Sequence, residues 1–188
     1  MGQHTFDVQR AAMLNDPSRY RFISREELLS TLDFIPSKNT IVTIADIGSG
    51  TGFFTDTVAP YADQVFAIDV QSEMHEQYRT RGCPQNVSFI TAEAGQLPLD
   101  DAALDCCFST MTYHEFGRYC SIEELARVVQ TGGRVVTFDW AQSGMGEAGP
   151  PCTERYGLSH VIERSSEAGL KTIRAETRTE TFVHVAKK

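Results

Sequence analysis

The chain has 188 residues, 41% of them hydrophobic and 22% charged. That is enough for one domain burying ~70% of the surface its unfolded form exposes, and too little for a second substrate domain. Its 25 acids against 17 bases give a formal charge of -8, which repels polyanions and argues against nucleic acid as a partner. No apolar stretch reaches the ~20 residues of a membrane helix, and the N-terminus lacks the basic-then-apolar layout of a signal peptide. The expectation is a soluble, cytoplasmic, single-domain protein spanning residues 1–188, with no membrane partner; a homodimer is allowed but not specified.

Residues 1–36 read as a helical cap: Asp16-Pro17 starts one segment, and Ser24 with Glu27 three residues on forms a capping box for another. The core, 37–188, opens with the β-branched, nearly continuous apolar run over 41–47, which suits a central parallel strand covered on both faces. A glycine-rich turn follows, then a helix over 53–59, a strand over 65–68 and a helix capped by Ser72 and running to Arg81. Strands are expected over 87–90, 104–109 and 134–139, the last preceded by a helix over 121–130 that Gly132-Gly133 stops. The segment 142–151 carries too many glycines and prolines for an element interior and is expected to be a mobile loop. A helix over 153–168 and two alternating segments, 171–176 and 181–186, complete the chain as an antiparallel hairpin. Strands alternating with helices predict an α/β, Rossmann-like, doubly wound sheet of seven strands with helices on both faces. Ligands of such sheets bind beyond the strands' carboxyl ends.

The strongest local signal is Asp46-Ile47-Gly48-Ser49-Gly50-Thr51-Gly52, placed after a strand and before a helix. Glycines at alternate positions let the backbone turn sharply and approach a ligand. The dinucleotide pattern GxGxxG fails at either register, because Phe53 or Thr55 stands where its third glycine belongs. An acid at the lip of the bend favours a cationic ligand and repels a pyrophosphate; taken alone, Asp46 reads equally as a solvated or helix-capping acid. Asp69 ends the second strand, where a carboxylate can accept from two ribose hydroxyls, although a turn acid would look the same.

The spacing DxGxGxG resembles the first motif of class I S-adenosylmethionine-dependent methyltransferases. Three further stretches resemble later motifs of that class: Thr91 to Pro98, Leu104 to Ser109, and Glu124 to Val129 with Gly132-Gly133-Arg134. Together they resemble the ubiquinone/menaquinone-biosynthesis-like "type 11" group over about residues 41 to 140. The resemblance implies S-adenosyl-L-methionine as cofactor, S-adenosyl-L-homocysteine as product, and no metal. It also implies cofactor contacts at Asp46, Gly48, Ser49, Gly50, Gly52, Asp69, Val70, Glu93, Ala94 and Ser109. Glu93 departs from the usual aspartate, and Thr131 from the usual proline.

Methyl transfer is an in-line displacement, so a general base is needed only when the acceptor carries a proton. His114, just after the fourth strand, is the best base candidate by its ordinary pKa; as a bland alternative it is a packing residue. Glu115 either orients His114 or begins a helix, and Tyr20, Tyr113 and Trp140 are expected to line a small-molecule acceptor site. A nicotinamide-dependent oxidoreductase and a non-catalytic S-adenosylmethionine-binding module are the competing readings.

Overall fold

The computed structural model describes residues 6–33, 42–118 and 121–188, and within them seven strands share one sheet. β1 (Thr43–Ile47), β2 (Gln64–Asp69), β3 (Val87–Thr91), β4 (Leu104–Thr110) and β5 (Val129–Trp140) pair in parallel. β7 (Thr181–Lys187) lies antiparallel between β5 and β6 (Lys171–Thr177), giving the order β3-β2-β1-β4-β5-β7-β6. The order reverses between β1 and β4, and the crevice beyond their carboxyl ends is where such a sheet takes a ligand.

Alternate residues of each strand feed opposite faces. Ala45, Ile47 and Val135 pack with helices α4 (Tyr113–Phe116), α5 (Ser121–Val128) and α6 (Leu158–Glu167). Ile44, Phe108, Val136 and Phe138 pack on the other side, with α1 (Arg25–Leu32) and α2 (Thr55–Val58). Tyr78 of α3 (Ser72–Arg81) fills a third, smaller cluster against β2 and β3. Each such buried large side chain contributes ~1.5–3 kcal/mol, so the covered central strands set the position of everything at their ends. No helix among the described residues is long and apolar enough to cross a membrane.

Several element boundaries differ from the sequence expectation, each for a local reason. The expected cap is a 3-10 helix over Val8–Asn15, a second over Pro17–Arg21 and then α1; residues 1–5 and 34–41 lie outside the described residues. Asp16 accepts from Ser18 N and Ser24 from Glu27 N, so both expected starts are used. The helix expected over 53–59 is a single turn, α2, because Pro60 lies two residues beyond it and the chain continues as 3-10 over Ala59–Tyr61. Gln71, not Ser72, occupies the cap position of α3; the Ser72 hydroxyl bonds Glu73 instead. β5 begins at Val129, earlier than expected, because Val129 already pairs with Leu104 before an irregular register around Gly132 and Gly133.

The segment 142–151 is pinned, against the expectation of a mobile loop. Arg155, 3% exposed, donates to Pro150 O at 2.8 Å and Ala141 O at 3.3 Å and also reaches Ala148 O. Glu180 meets the same guanidinium at 3.3 Å and accepts from Gly146 N and Glu147 N. That tie also shortens the expected helix over 153–168: Cys152–Glu154 is a 3-10 turn, Arg155 is extended, and α6 starts only at Leu158.

Candidate active site

The bend after β1 is held from beneath and beside. Gly48 N and Ser49 N donate to Ile68 O, and Gly50 N donates to Asp69 Oδ2 at 2.8 Å. Asp69 Oδ1 accepts from Gln71 N at 2.9 Å, so one carboxylate joins the ends of β1 and β2. Burial raises the Asp69 pKa, opposed by these backbone donors. Gly48, with φ +74°, leaves no room for a Cβ beside Thr112, whose hydroxyl reaches Gly48 O at 3.3 Å. A narrow cavity of about 90 Å³ opens here, lined by Gly48, Ser49, Gly50, Asp69 and Val70 together with Glu93 and Ala94.

The chemistry of this cavity fits S-adenosylmethionine. Ser49 Oγ is buried without a hydrogen-bond partner among the described residues and sits in the lining, ready for a polar ligand group. Asp69, Glu93 and Glu115 supply acids that suit hydroxyls and cationic groups and oppose phosphates, while Ile68, Met74 and Phe116 offer an apolar bed. Leu97 N donates to Glu124 at 2.7 Å, and Arg127 donates to Leu97 O and Leu99 O, so the Glu124-to-Arg127 stretch fastens the loop that follows Glu93.

Not every expected contact faces the cavity. Asp46 is 1% exposed beneath the bend rather than at its lip: Thr55 Oγ1 donates to its Oδ2 at 2.6 Å, and Oδ1 has no partner among the described residues. Ser109 is buried outside the lining, where its neighbour Thr110 takes that place. Gly52, also outside the lining, exists for packing: its φ is +83° and a Cβ would overlap the Tyr78 ring. Gly52→Ala is therefore expected to destabilise the fold by about 2–5 kcal/mol, the sum of overpacking and left-handed strain. A denaturant midpoint unchanged at constant slope would refute this role.

A larger cleft of about 550 Å³ adjoins the first cavity, and Phe6, Leu14, Arg19, Met111 and Glu115 line both. Met111, with φ +59° and its N–H on Phe138 O at 2.7 Å, is a left-handed turn that swings the chain from β4 into α4. That turn places His114 against Asp139 at the end of β5. Asp139 is fully buried and accepts from His114 N at 2.6 Å, and its two oxygens lie 3.0 and 3.1 Å from His114 Nδ1. Nδ1 is thereby committed to Asp139, and the other ring nitrogen, Nε2, lies 3.9 Å from Glu115 Oε1. Burial pulls the His114 pKa down, but the charge and hydrogen bond of Asp139, aided by Glu115 and opposed by Arg155, raise it overall. Burial also lifts Glu115 to about 7, with His114 lowering it and Asp69 and Asp139 raising it.

Of the expected acceptor-lining residues, Glu115 and Trp140 line the cleft. Tyr20 and Tyr113 do not: half-buried Tyr20 pairs its OH with Thr57 Oγ1 at 2.9 Å beside Phe53, and buried Tyr113 pairs its OH with His160 Nδ1 at 3.0 Å. Thr112, expected with the stretch after the fourth strand to face the pocket, does line the first cavity, whereas sequence reading missed Arg19 and Asp139. Arg19 comes from the N-terminal segment, donates to Leu14 O at 2.7 Å, and is lowered by burial to about 10 while Asp46 opposes the shift. Its type carried no signal; Asp139 did carry one, an acid at a predicted strand's carboxyl end.

A glycine bend at the β1 end, acids at the ends of β2 and β3 and a cleft beyond β4 and β5 define a Rossmann-like methyltransferase-class fold and site. The methyltransferase domain family matches residues 45–137, just under half of the chain, and together with the solved structures this supports a class I S-adenosylmethionine-dependent methyltransferase of the type 11 group. A crystal structure of a SAM-dependent methyltransferase from Aquifex aeolicus aligns with a TM-score of 0.84 at 28% identity, covering 97% of this chain and 98% of that one. The biotin biosynthesis bifunctional protein BioHC of Cellvibrio japonicus is 35% identical over 104 residues, 55% of this chain and 20% of that protein. The malonyl-[acyl-carrier protein] O-methyltransferase of Serratia marcescens is 29% identical over 63% of this chain and 46% of its own. The chain thus spans less than half the length of these curated relatives.

Proposed function

We propose that this protein transfers a methyl group from S-adenosyl-L-methionine to a small-molecule acceptor by in-line displacement, in the cytoplasm. The carrying observation is the junction at Met111 and Glu115, where the glycine-bend cavity opens into a second cleft that holds an oriented histidine. Gly48, Ser49 and Gly50 would hold the amino-acid end of the cofactor, Asp69 and Val70 its ribose, and Glu93 and Ala94 its adenine. Bound there, the cofactor supplies an electron-poor methyl carbon. The chain's own part is to align donor and acceptor at near-attack distance and to keep water out, which the apolar walls favour. A concave cleft bounded by the N-terminal segment and 148–151 suits a small acceptor better than a polymer surface.

Thermal melting separates this reading from the competing ones. S-adenosyl-L-homocysteine at about 100 times its dissociation constant should add ~2.7 kcal/mol of stability, with NAD adding nothing. Stabilisation by NAD alone would reverse the assignment. Binding without label transfer from methyl-labelled donor across a metabolite extract would leave a non-catalytic module.

A further inference from the structure

The second cleft restricts the chemistry of the acceptor, on the premise that the methyl-transfer reading above holds. Its walls are Met13, Phe22, Trp140, Pro150 and Pro151, an apolar lining. Phe22 meets Trp140 edge-on at 4.8 Å between ring centroids, and Arg155 with Glu180 fixes the backbone of the 146–150 wall. The loop is thereby held as a fixed wall of the cleft. The charges fall into two groups. Asp7, Arg10 and Glu154 are exposed at the rim. Arg19 and Glu115 lie at the inner end, where the cleft meets the first cavity, and His114 lines the cleft next to Glu115 with Asp139 behind it.

Because Asp139 holds His114 Nδ1 from behind, the ring has Nε2 left for a ligand, and that nitrogen is an acceptor when the ring is neutral. A carboxylate acceptor brings no proton for this group to take, and the pull of Arg19 on it is opposed by Glu115 at the same inner end. A neutral hydroxyl satisfies both constraints.

We propose that the acceptor is a neutral molecule with an apolar body and a hydroxyl, seated in this cleft with its O–H directed at His114 Nε2. The hydroxyl proton passes to Nε2 as the new O–CH3 bond forms. The S–CH3 bond breaks, its electron pair stays on sulfur, and a neutral thioether and a methyl ether result. His114 then returns the proton to solvent.

Trp140 is the chain's one tryptophan and a wall of the cleft, so its emission reports occupancy without turnover. Three probes share one apolar body: 4-butylphenol, its methyl ether 4-butylanisole, and 4-butylbenzoate. With S-adenosyl-L-homocysteine present, the phenol and the ether should each perturb Trp140 emission saturably. The benzoate should bind at least about tenfold more weakly, since its charge would be desolvated beside Glu115 and Arg19 alone does not replace its water. With labelled donor, only the phenol should take up label. His114→Gln should bind the ether within about threefold of the parent protein while losing phenol methylation by ~100-fold or more. Preferred binding or methylation of the benzoate overturns the proposal, as do an unperturbed Trp140 with all three probes, a phenol that binds without taking up label, and phenol methylation that survives in His114→Gln. Failure of S-adenosyl-L-homocysteine to raise the melting temperature is a different result and removes the premise instead.

Discussion

Exchanging Asp139 for asparagine is expected to lower methyl transfer to 4-butylphenol by ~10²–10⁴-fold with little change in cofactor affinity. The physical reason is the double use of that carboxylate. It accepts from His114 N at 2.6 Å and from the ring Nδ1 at 3.0 Å, so it sets both where the imidazole points and which nitrogen carries the proton. An asparagine amide can offer a donor to Nδ1 and leave Nε2 protonated, the wrong form for a base. The pH profile separates this role from simple damage to packing. Asp139 raises the His114 pKa, and a raised base is active only above that value, so the parent rate should climb with pH through a midpoint above His114's ordinary 6.5. Glu115 works in the same direction and Arg155 against it. Removing the Asp139 charge should move the residual acid limb to lower pH. An asparagine variant that loses rate but keeps the parent midpoint would mean that Asp139 holds structure only.

Asp46→Asn is expected to stabilise the protein without ligand, increasingly so as pH rises. Asp46 is 1% exposed, one of its oxygens has no partner among the described residues, and burial lifts its pKa to about 7, with Thr55 and Arg19 opposing and Asp69 adding. The unfolded chain releases that proton near 3.8, so the folded state binds it more tightly. Its contribution to stability is therefore complete below about pH 3.8 and is lost as pH rises through 7. Holding the charge above that pH costs on the order of 4 kcal/mol at most, from the width of the window. Asparagine does not titrate, but its amide leaves a new donor to satisfy, so a net gain of ~2 kcal/mol, or ~4–8 °C in Tm, is expected at about pH 8. The gain should vanish near pH 4. The same change should weaken cofactor binding by roughly tenfold through loss of a nearby negative charge, a trade of function for stability. A Tm difference that does not vary with pH would show that Asp46 is ionised throughout and would refute the account.

What the chain determines locally was legible in its sequence. The run before Asp46 is continuous and β-branched because β1 is covered on both faces, and the glycines after it alternate because the bend must pass under Thr112 and Tyr78 without Cβ atoms. Capping by Asp16 and Ser24, and the hairpin of β6 and β7, follow from contacts a few residues apart. The site's chemistry was legible only in part, because spacing names a residue's neighbours in the chain and not the side on which it is buried. Tyr20 and Tyr113 have the composition of pocket walls, yet Thr57 and His160 satisfy their hydroxyls outside both cavities. Asp46 sits where a lip residue belongs by count, but strand direction turns it beneath the bend. The pairing of His114 with Asp139 spans 25 residues and exists because Thr110 of β4 is in register with Phe138 of β5, which brings the two strand ends together. Arg19 reaches the junction from an N-terminal segment, and Arg155 fixes a glycine- and proline-rich loop that composition alone reads as free. Local propensity and motif order determine this fold and the glycine bend at the end of β1. The His114–Asp139 pair and the walls of the second cleft come from packing between distant segments, which no local pattern encodes.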